Sequence, residues 1–246
     1  MAAPKIKRLF WDIETSPNVV YSWRVGYKIN IDHDNIVKER AIVCIGYKWQ
    51  GEREVHSLEW NKGNDKQLLE KFIPILESAD ESVAHYGDRF DLPWVRARAA
   101  FHGIPVDAYL KTIDTKAQSA KNFYFNSNRL DYLGHFLGVG RKIKTDFDLW
   151  KDVMAGDKAA LDRMVRYCKQ DVRLLEQVYL RLESYNKPKT HVGVLAGGAR
   201  DSCPGCGSEK TQRRGYRVTA LGARSQIMSC RGCGRNFTAA VERKTK

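Results

Sequence analysis

Residues 8–15 read RLFWDIET. The run Leu9-Phe10-Trp11 is apolar and heads into a core, yet it is followed by two acids, Asp12 and Glu14. In a strand, successive side chains point to opposite faces, so residues two apart share a face and stand about 6 to 7 Å apart. Asp12 and Glu14 are therefore aimed at one point. A lone Asp-x-Glu at a strand end commonly marks a chain reaching the surface. What gives this pair meaning is further acids placed where a fold brings them to the same point.

Two later stretches supply them. In AHYGDRFDLPW (84–94), Asp91 follows the strand-like run SVAHY (82–86) and opens a helix over DLPWVRARAAFHG. There Asp91 is expected as the cap, Pro93 in the first turn and Gly103 at the end. In RYCKQDVRLL (166–175), Tyr167 and Asp171 lie four apart on a helical segment from Asp157 to about Tyr185, in one or two pieces, and so share a face. The remaining pattern fits an α/β domain. AIVCIGYKW (41–49) and EVHSLEW (54–60) read as a hairpin around Gln50 and Gly51. NDKQLLEKFIPILESA (64–79) has Leu68, Leu69, Phe72, Ile75 and Leu76 at helical spacing. YLKTIDT (109–115) is a strand candidate and RLDYLGHFLG (129–138) a short helix.

With 246 residues, 43% of them hydrophobic, the chain can build one medium core and a small appendage. No run has the length of a membrane span, and the start MAAPKIKR lacks the apolar stretch of a secretory signal, so a cytosolic location is expected, in a host cell if the source is a phage. Cys44 and Cys168 fall in apolar surroundings and read as core. The other four cysteines form CPGCG and CRGCG, two knuckles in which Cys203, Cys206, Cys230 and Cys233 can grip a tetrahedral ion. These knuckles, with GYRVTAL and RSQIMSC as hairpin strands, resemble a zinc ribbon. The resemblance implies one structural Zn²⁺ in residues 201–246, after an aperiodic linker over 187–200.

The net charge is +13, and from Lys187 onward thirteen Lys and Arg face only three acids, a surplus of ten. A polyanionic partner, most simply nucleic acid, suits that tail. Its contacts are expected at Arg213, Arg214, Arg217, Arg224, Arg231 and Arg235, a protein-docking ribbon being the alternative.

Asp12-x-Glu14 after a first strand, Phe90-Asp91 at a strand-to-helix junction and Tyr167-x-x-x-Asp171 on a late helix together resemble the three motifs of the DnaQ-like exonuclease superfamily. The tyrosine points to its DEDDy subgroup. The resemblance covers residues 5 to 183. It implies a ribonuclease-H-like mixed sheet flanked by helices over residues 1–186, two Mg²⁺ or Mn²⁺ ions and 3′ to 5′ removal of nucleotides. It further implies that Asp12, Glu14, Asp91 and Asp171 hold the ions and that Tyr167 orients the attacking water. An all-oxygen ligand set independently favours Mg²⁺ or Mn²⁺ over Zn²⁺, because four converging acids repel one another unless cations neutralise them. One departure is Tyr86, where family members often carry asparagine. Asp114 in TIDT reads as a strand-end residue that touches the site at most indirectly.

DNA is the expected substrate, with RNA trimming and structure-selective cleavage as enzymatic alternatives. A non-catalytic nucleic-acid adaptor, or a replication or repair accessory whose ribbon binds protein, is the alternative of another class. The aromatics of KNFYFNSNRL (121–130) suit either base stacking or inward packing, and GRKIKTD (140–146) is a basic loop with the charge to meet phosphates.

Overall fold

A computed structural model describes residues 6–240. Its centre is a five-stranded sheet in which β1 (Arg8–Thr15) lies in the middle. On one side β1 pairs antiparallel with β4 (Ile42–Trp49), which pairs antiparallel with β5 (His56–Glu59). On the other it pairs parallel with β6 (Glu81–Ala84), followed by parallel β7 (Thr112–Asp114). The sheet is thus mixed, as the resemblance implies. The expected hairpin is β4–β5. Between β1 and β4 the chain leaves the sheet in an excursion braced by a short ribbon, β2 (Val19–Val20) and β3 (Ile36–Lys38).

Alternation along β1 decides what covers each face. Leu9, Trp11 and Ile13 pack into a core with Leu68, Leu69, Phe72 and Leu76 of α1 (Lys66–Glu77) and Val95 and Ala99 of α2 (Asp91–His102). Phe10 points the other way, into a core with Val172, Leu175 and Val178 of α6 (Lys158–Leu182). Asp12 and Glu14 share the parity of Phe10 and so face α6. Around these lie α3 (Thr115–Asn122), α4 (Leu130–Phe136) and α5 (Phe147–Met154).

The helix expected in one or two pieces is one uninterrupted α6 of 25 residues, because apolar residues at helical spacing run unbroken from Ala160 to Leu182. Asp65 precedes α1 but does not cap it. Its oxygens instead accept from the Ile42 amide at 2.9 Å and from Arg98 at 2.8 and 2.9 Å, with His102 Nε2 at 2.7 Å, tying β4 to α2.

Contacts divide the described chain into the unit Arg8–Leu182 and a second unit running from Glu183 onward with Ile6 and Lys7. The second carries a three-stranded antiparallel sheet in the order β10 (Asn236–Ala240), β9 (Arg224–Cys230), β8 (Thr211–Val218). The stretch 187–200, expected as an aperiodic linker, is folded in this unit. It contains α7 (Val192–Leu195), whose Val192 amide donates to Pro204 O at 2.9 Å, while Ser202 lies against Gly193 so closely that a Cβ there would clash. Glycine appears there for close backbone approach rather than looseness. No helix among the described residues is long and apolar enough to cross a membrane.

Candidate functional site

Asp12, Glu14 and Asp171 each place a carboxylate oxygen within 4.8 Å of the others. The approach depends on Gly46, which pairs with Asp12 across β4, since a Cβ there would meet Cys168 Sγ at 3.0 Å and Val172 Cγ2 at 3.1 Å. With a hydrogen at that position, α6 can lie close enough to β1 for Asp171 to join the two strand acids. Cys168 itself is buried, as expected of a core residue, with its Sγ 3.5 Å from Asp12 O.

Asp91 arrives by another route. It does not cap its helix: Phe90 occupies the cap position without a side-chain bond, and Asp91 stands in the first turn. Its Oδ1 accepts from the Ile13 amide at 3.2 Å, between the two strand acids, which ties the carboxylate to β1. Asp91 lies outside the tight trio but is one of the charges that raise Asp12.

Burial and mutual repulsion push these acids up. Asp12 is held well above the carboxylate range, first by burial and then by Asp91, Asp171 and Glu14. Glu14 rises to about 8, by burial and then Asp171, and Asp91 rises to about 7, chiefly by burial. Burial also raises Asp171, against the opposing pull of Lys142 and Tyr167. Lys142 Nζ stands 2.6 Å from Asp171 Oδ2, yet this cation does not offset the burial and repulsion that raise the acids. A surplus of buried, under-neutralised carboxylate oxygen fits a hard divalent cation.

Lys142 is the residue whose role the sequence does not single out. It belongs to the expected basic loop, but the loop is folded into the site. Asp131 on α4 accepts from Arg141 Nε and Nη2 at 3.1 and 2.8 Å and from the Lys142 amide at 2.9 Å. So anchored, Lys142 reaches Asp171 and lies over the Tyr167 ring at 4.9 Å. Despite burial, Asp171 and Asp12 keep it firmly protonated. The one signal in the sequence is Asp131, an acid eleven residues before the lysine, and nothing local says that such a loop closes.

Tyr167 is pushed up by burial and by Asp171, which keeps its phenol protonated, and its ring meets Trp150 edge-on. Tyr86 adopts a left-handed backbone, φ 76°, a region that asparagine tolerates better than an aromatic residue. Asp114 helps hold that conformation: its Oδ1 accepts from the Tyr86 amide at 3.0 Å while capping α3 through Lys116 and Ala117. In 121–130, Phe123 and Phe125 stack on each other at 5.0 Å against the core, whereas Tyr124 is fully exposed.

Two expected outcomes follow from the charge balance. All four acids have raised folded-state values, so between about pH 4.5 and 8 they bind more protons in the folded chain than in the unfolded one, outweighing the opposite change at buried His85, which is lowered to about 4. Stability without added Mg²⁺ or Mn²⁺ should therefore fall as pH rises through that window, and Mn²⁺ should stabilise more at pH 8 than at pH 5.5. Thermal melts at both pH values, with and without Mn²⁺, check this, and a profile flat in both series would contradict it. Lys142→Met removes the cation paired with Asp171 and leaves that carboxylate uncompensated. The expected loss is about 1 to 3 kcal/mol, read as a lower melting temperature at pH 8 that Mn²⁺ restores. A melting temperature unchanged by the substitution would mean that the ion pair carries no weight.

In the C-terminal unit, Cys203 Sγ and Cys233 Sγ stand 3.7 Å apart, Cys206 Sγ and Cys230 Sγ 3.6 Å, and all four sulfurs lie within 4.8 Å of one another. Sulfurs about 2.3 Å from a tetrahedral Zn²⁺ stand about 3.8 Å apart, so the set fits that ion. Burial raises Cys206 to about 12. At Cys230 burial is outweighed by the amides of Cys233 and Gly232 aimed at its sulfur, which bring it down to about 7. Arg213, Arg214, Arg217, Arg224 and Arg231 are exposed, with Arg224 over the Tyr216 ring at 3.4 Å. Arg235 is turned inward instead, donating to Asn186 O at 2.6 Å and Glu183 O at 3.0 Å, because those carbonyls need a donor where the chain enters this unit.

Comparison with known proteins places this geometry. No curated protein matches the sequence. Among solved structures, the family B DNA polymerase from the hyperthermophilic archaeon Pyrobaculum calidifontis shares the fold, with a TM-score of 0.56 and 16% identity. The likeness covers 78% of this chain and 26% of the polymerase, so this chain matches about a quarter of that protein. The RNase_H_2 family model matches residues 29–183, a span that takes in Asp91, Tyr167 and Asp171 and begins after β1. With more than half of its length matched, the chain belongs to the RNase H superfamily.

Proposed function

We propose that the chain is a divalent-metal-dependent 3′ to 5′ exonuclease of the DEDDy type acting on DNA. The observation that carries this reading is the convergence of Asp12, Glu14 and Asp171 within 4.8 Å. Asp91 beside them and Tyr167 on the same helix as Asp171 support it. Asp12, Glu14, Asp91 and Asp171 would hold two Mg²⁺ or Mn²⁺. When bound, such ions acidify water and neutralise the charge that develops on a phosphodiester.

The chain's own residues do the rest. Asp12 and Glu14, fixed by β1, and Asp171, fixed by α6, define the point at which the scissile phosphate is received. Tyr167, kept protonated, has a hydroxyl to donate or accept in orienting a water but is a poor base. Lys142 adds a fixed positive charge beside Asp171, facing any phosphate that enters. Asp91 links the site to the Ile13 backbone and holds strand and helix in register.

In this reading Arg8–Leu182 is the nuclease domain. The unit from Glu183 is a four-cysteine zinc ribbon, with Cys203, Cys206, Cys230 and Cys233 holding one structural Zn²⁺ and exposed arginines contacting nucleic acid. Preference for DNA over RNA, and any replication or repair partner, belong to the same proposal. The test is digestion of matched single-stranded DNA and RNA, labelled at the 5′ end, with Mg²⁺ or Mn²⁺. A ladder shortening from the 3′ end, faster on DNA, is expected. Internal cuts would replace the exonuclease reading with an endonuclease, faster loss of RNA would make the enzyme an exoribonuclease, and no cleavage of either strand would favour an adaptor.

A further inference from the structure

The excursion between β1 and β4 has no place in the chemistry above. Its root is fastened two residues beyond Glu14. Ser16 N donates to Ala41 O at 2.9 Å, Ala41 N donates to Ser16 Oγ at 2.9 Å, and Arg40 Nε donates to Ser16 O at 3.2 Å. Higher up, Val19 pairs with Lys38 and Val20 with Ile36, and Tyr21 N donates to Asn35 O at 3.0 Å. Beyond this brace the tip presents Tyr21 at 77% exposure, Trp23 at 103%, Val25 at 99% and Tyr27 at 92%. Isolated exposed apolar residues are ordinary, but three large aromatics within seven residues, all nearly bare, form a patch that calls for an occupant.

The charge at the tip says which kind. From Tyr21 to Lys28 the exposed stretch holds two cations, Arg24 and Lys28, and no acid, while Asp32 and Asp34 follow on the return of the excursion, each beside His33. Lys28 Nζ lies over the Tyr27 ring at 5.4 Å. Aromatic faces interleaved with cations match unpaired bases on a phosphate backbone: the rings stack on bases of any sequence and the cations meet phosphates. The root leaves β1 two residues beyond Glu14, so the arm springs from the strand end that carries both acids.

We propose that residues 19–31 form a stacking arm that grips single-stranded nucleic acid through Tyr21, Trp23 and Tyr27, backed by Arg24 and Lys28. The proposal deepens the nuclease reading and rests on it for the identity of the substrate. The arm selects unpaired ends, because bases within a duplex offer no free face.

The test uses the full chain in an Asp12→Ala background, so binding is read without cleavage and the arm can fail separately from the nuclease reading, which the digestion of wild type decides. Fluorescence anisotropy measures Kd for a labelled oligodeoxythymidylate and for a blunt duplex, with the Tyr21→Ala, Trp23→Ala, Tyr27→Ala triple variant beside its parent. The expected result is a rise in Kd for the single strand of at least about tenfold, a smaller change for the duplex, and an unchanged melting temperature. Trp23→Phe, which keeps a ring, should bind within about twofold of the parent. An unchanged Kd for the single strand, or equal weakening toward the duplex, overturns the proposal. So does sedimentation showing a parent dimer that the triple variant dissociates, since the arm would then be an interface between copies.

Discussion

Asp12→Ala should lose metal-dependent hydrolysis by about 10³-fold or more, a barrier increase of several kcal/mol, while the metal-free protein melts no lower than wild type at pH 8. The two halves of this result come from one cause. Asp12 sits where Glu14, Asp91 and Asp171 all raise it, so it contributes charge to a centre that is repulsive without cations. Removing it relieves repulsion in the apo state and, in the proposed reading, removes one of the metal ligands. Most alanine substitutions at a buried position cost stability through a cavity, but here the deleted group is small and its burial was unfavourable. The same variant should lose most of the stabilisation that Mn²⁺ gives wild type. Thermal melts with and without Mn²⁺, beside the digestion assay, separate a lost ligand from a damaged fold. Retained metal-dependent cleavage in a purified Asp12→Ala protein would sink the assignment of the site.

The other large effect concerns the cysteine cluster. The C-terminal sheet has little core: along β8 no residue is buried, and in β9 only Met228 and Cys230 are. In the proposed ribbon reading such a unit depends on a metal, since a structural Zn²⁺ in a small module contributes apparent binding free energy on the order of 10 kcal/mol or more. Cys203→Ser should therefore abolish stoichiometric zinc and expose residues beyond about 200 to protease, with Arg8–Leu182 left as a resistant fragment. Zinc content and limited proteolysis followed by mass spectrometry give the answer. A Cys203→Ser protein that keeps one equivalent of zinc and its protection would show that the ribbon reading is wrong.

The parts of the molecule that can be read from the sequence are those with a short period. Alternation along RLFWDIET assigns Leu9, Trp11 and Ile13 to one face and Phe10, Asp12 and Glu14 to the other, and the two cores keep that division. The four-residue spacing of Tyr167 and Asp171 places both on the face of α6 that covers β1. The role of Asp91 is harder, because an acid opening a helix is ordinarily its cap, and only the Ile13 amide at 3.2 Å shows that its carboxylate serves a strand 78 residues away. The arm escapes a reading of the sequence because alternating aromatics look the same whether a strand is covered or bare, and exposure depends on neighbours distant in the chain.

By itself, then, the sequence determined which side chains share a face and which cysteines can share an ion, since both depend on backbone periods of two and about 3.6 residues and on turns closed within a few residues. Only the tertiary structure decided how near those faces come. The missing side chain at Gly46 sets the distance between β1 and α6, and the grip of Asp131 on Arg141 and the Lys142 amide brings the Lys142 cation among the acids. Distances across a packed interior depend on the volume of residues remote in the chain, and no local pattern records that volume.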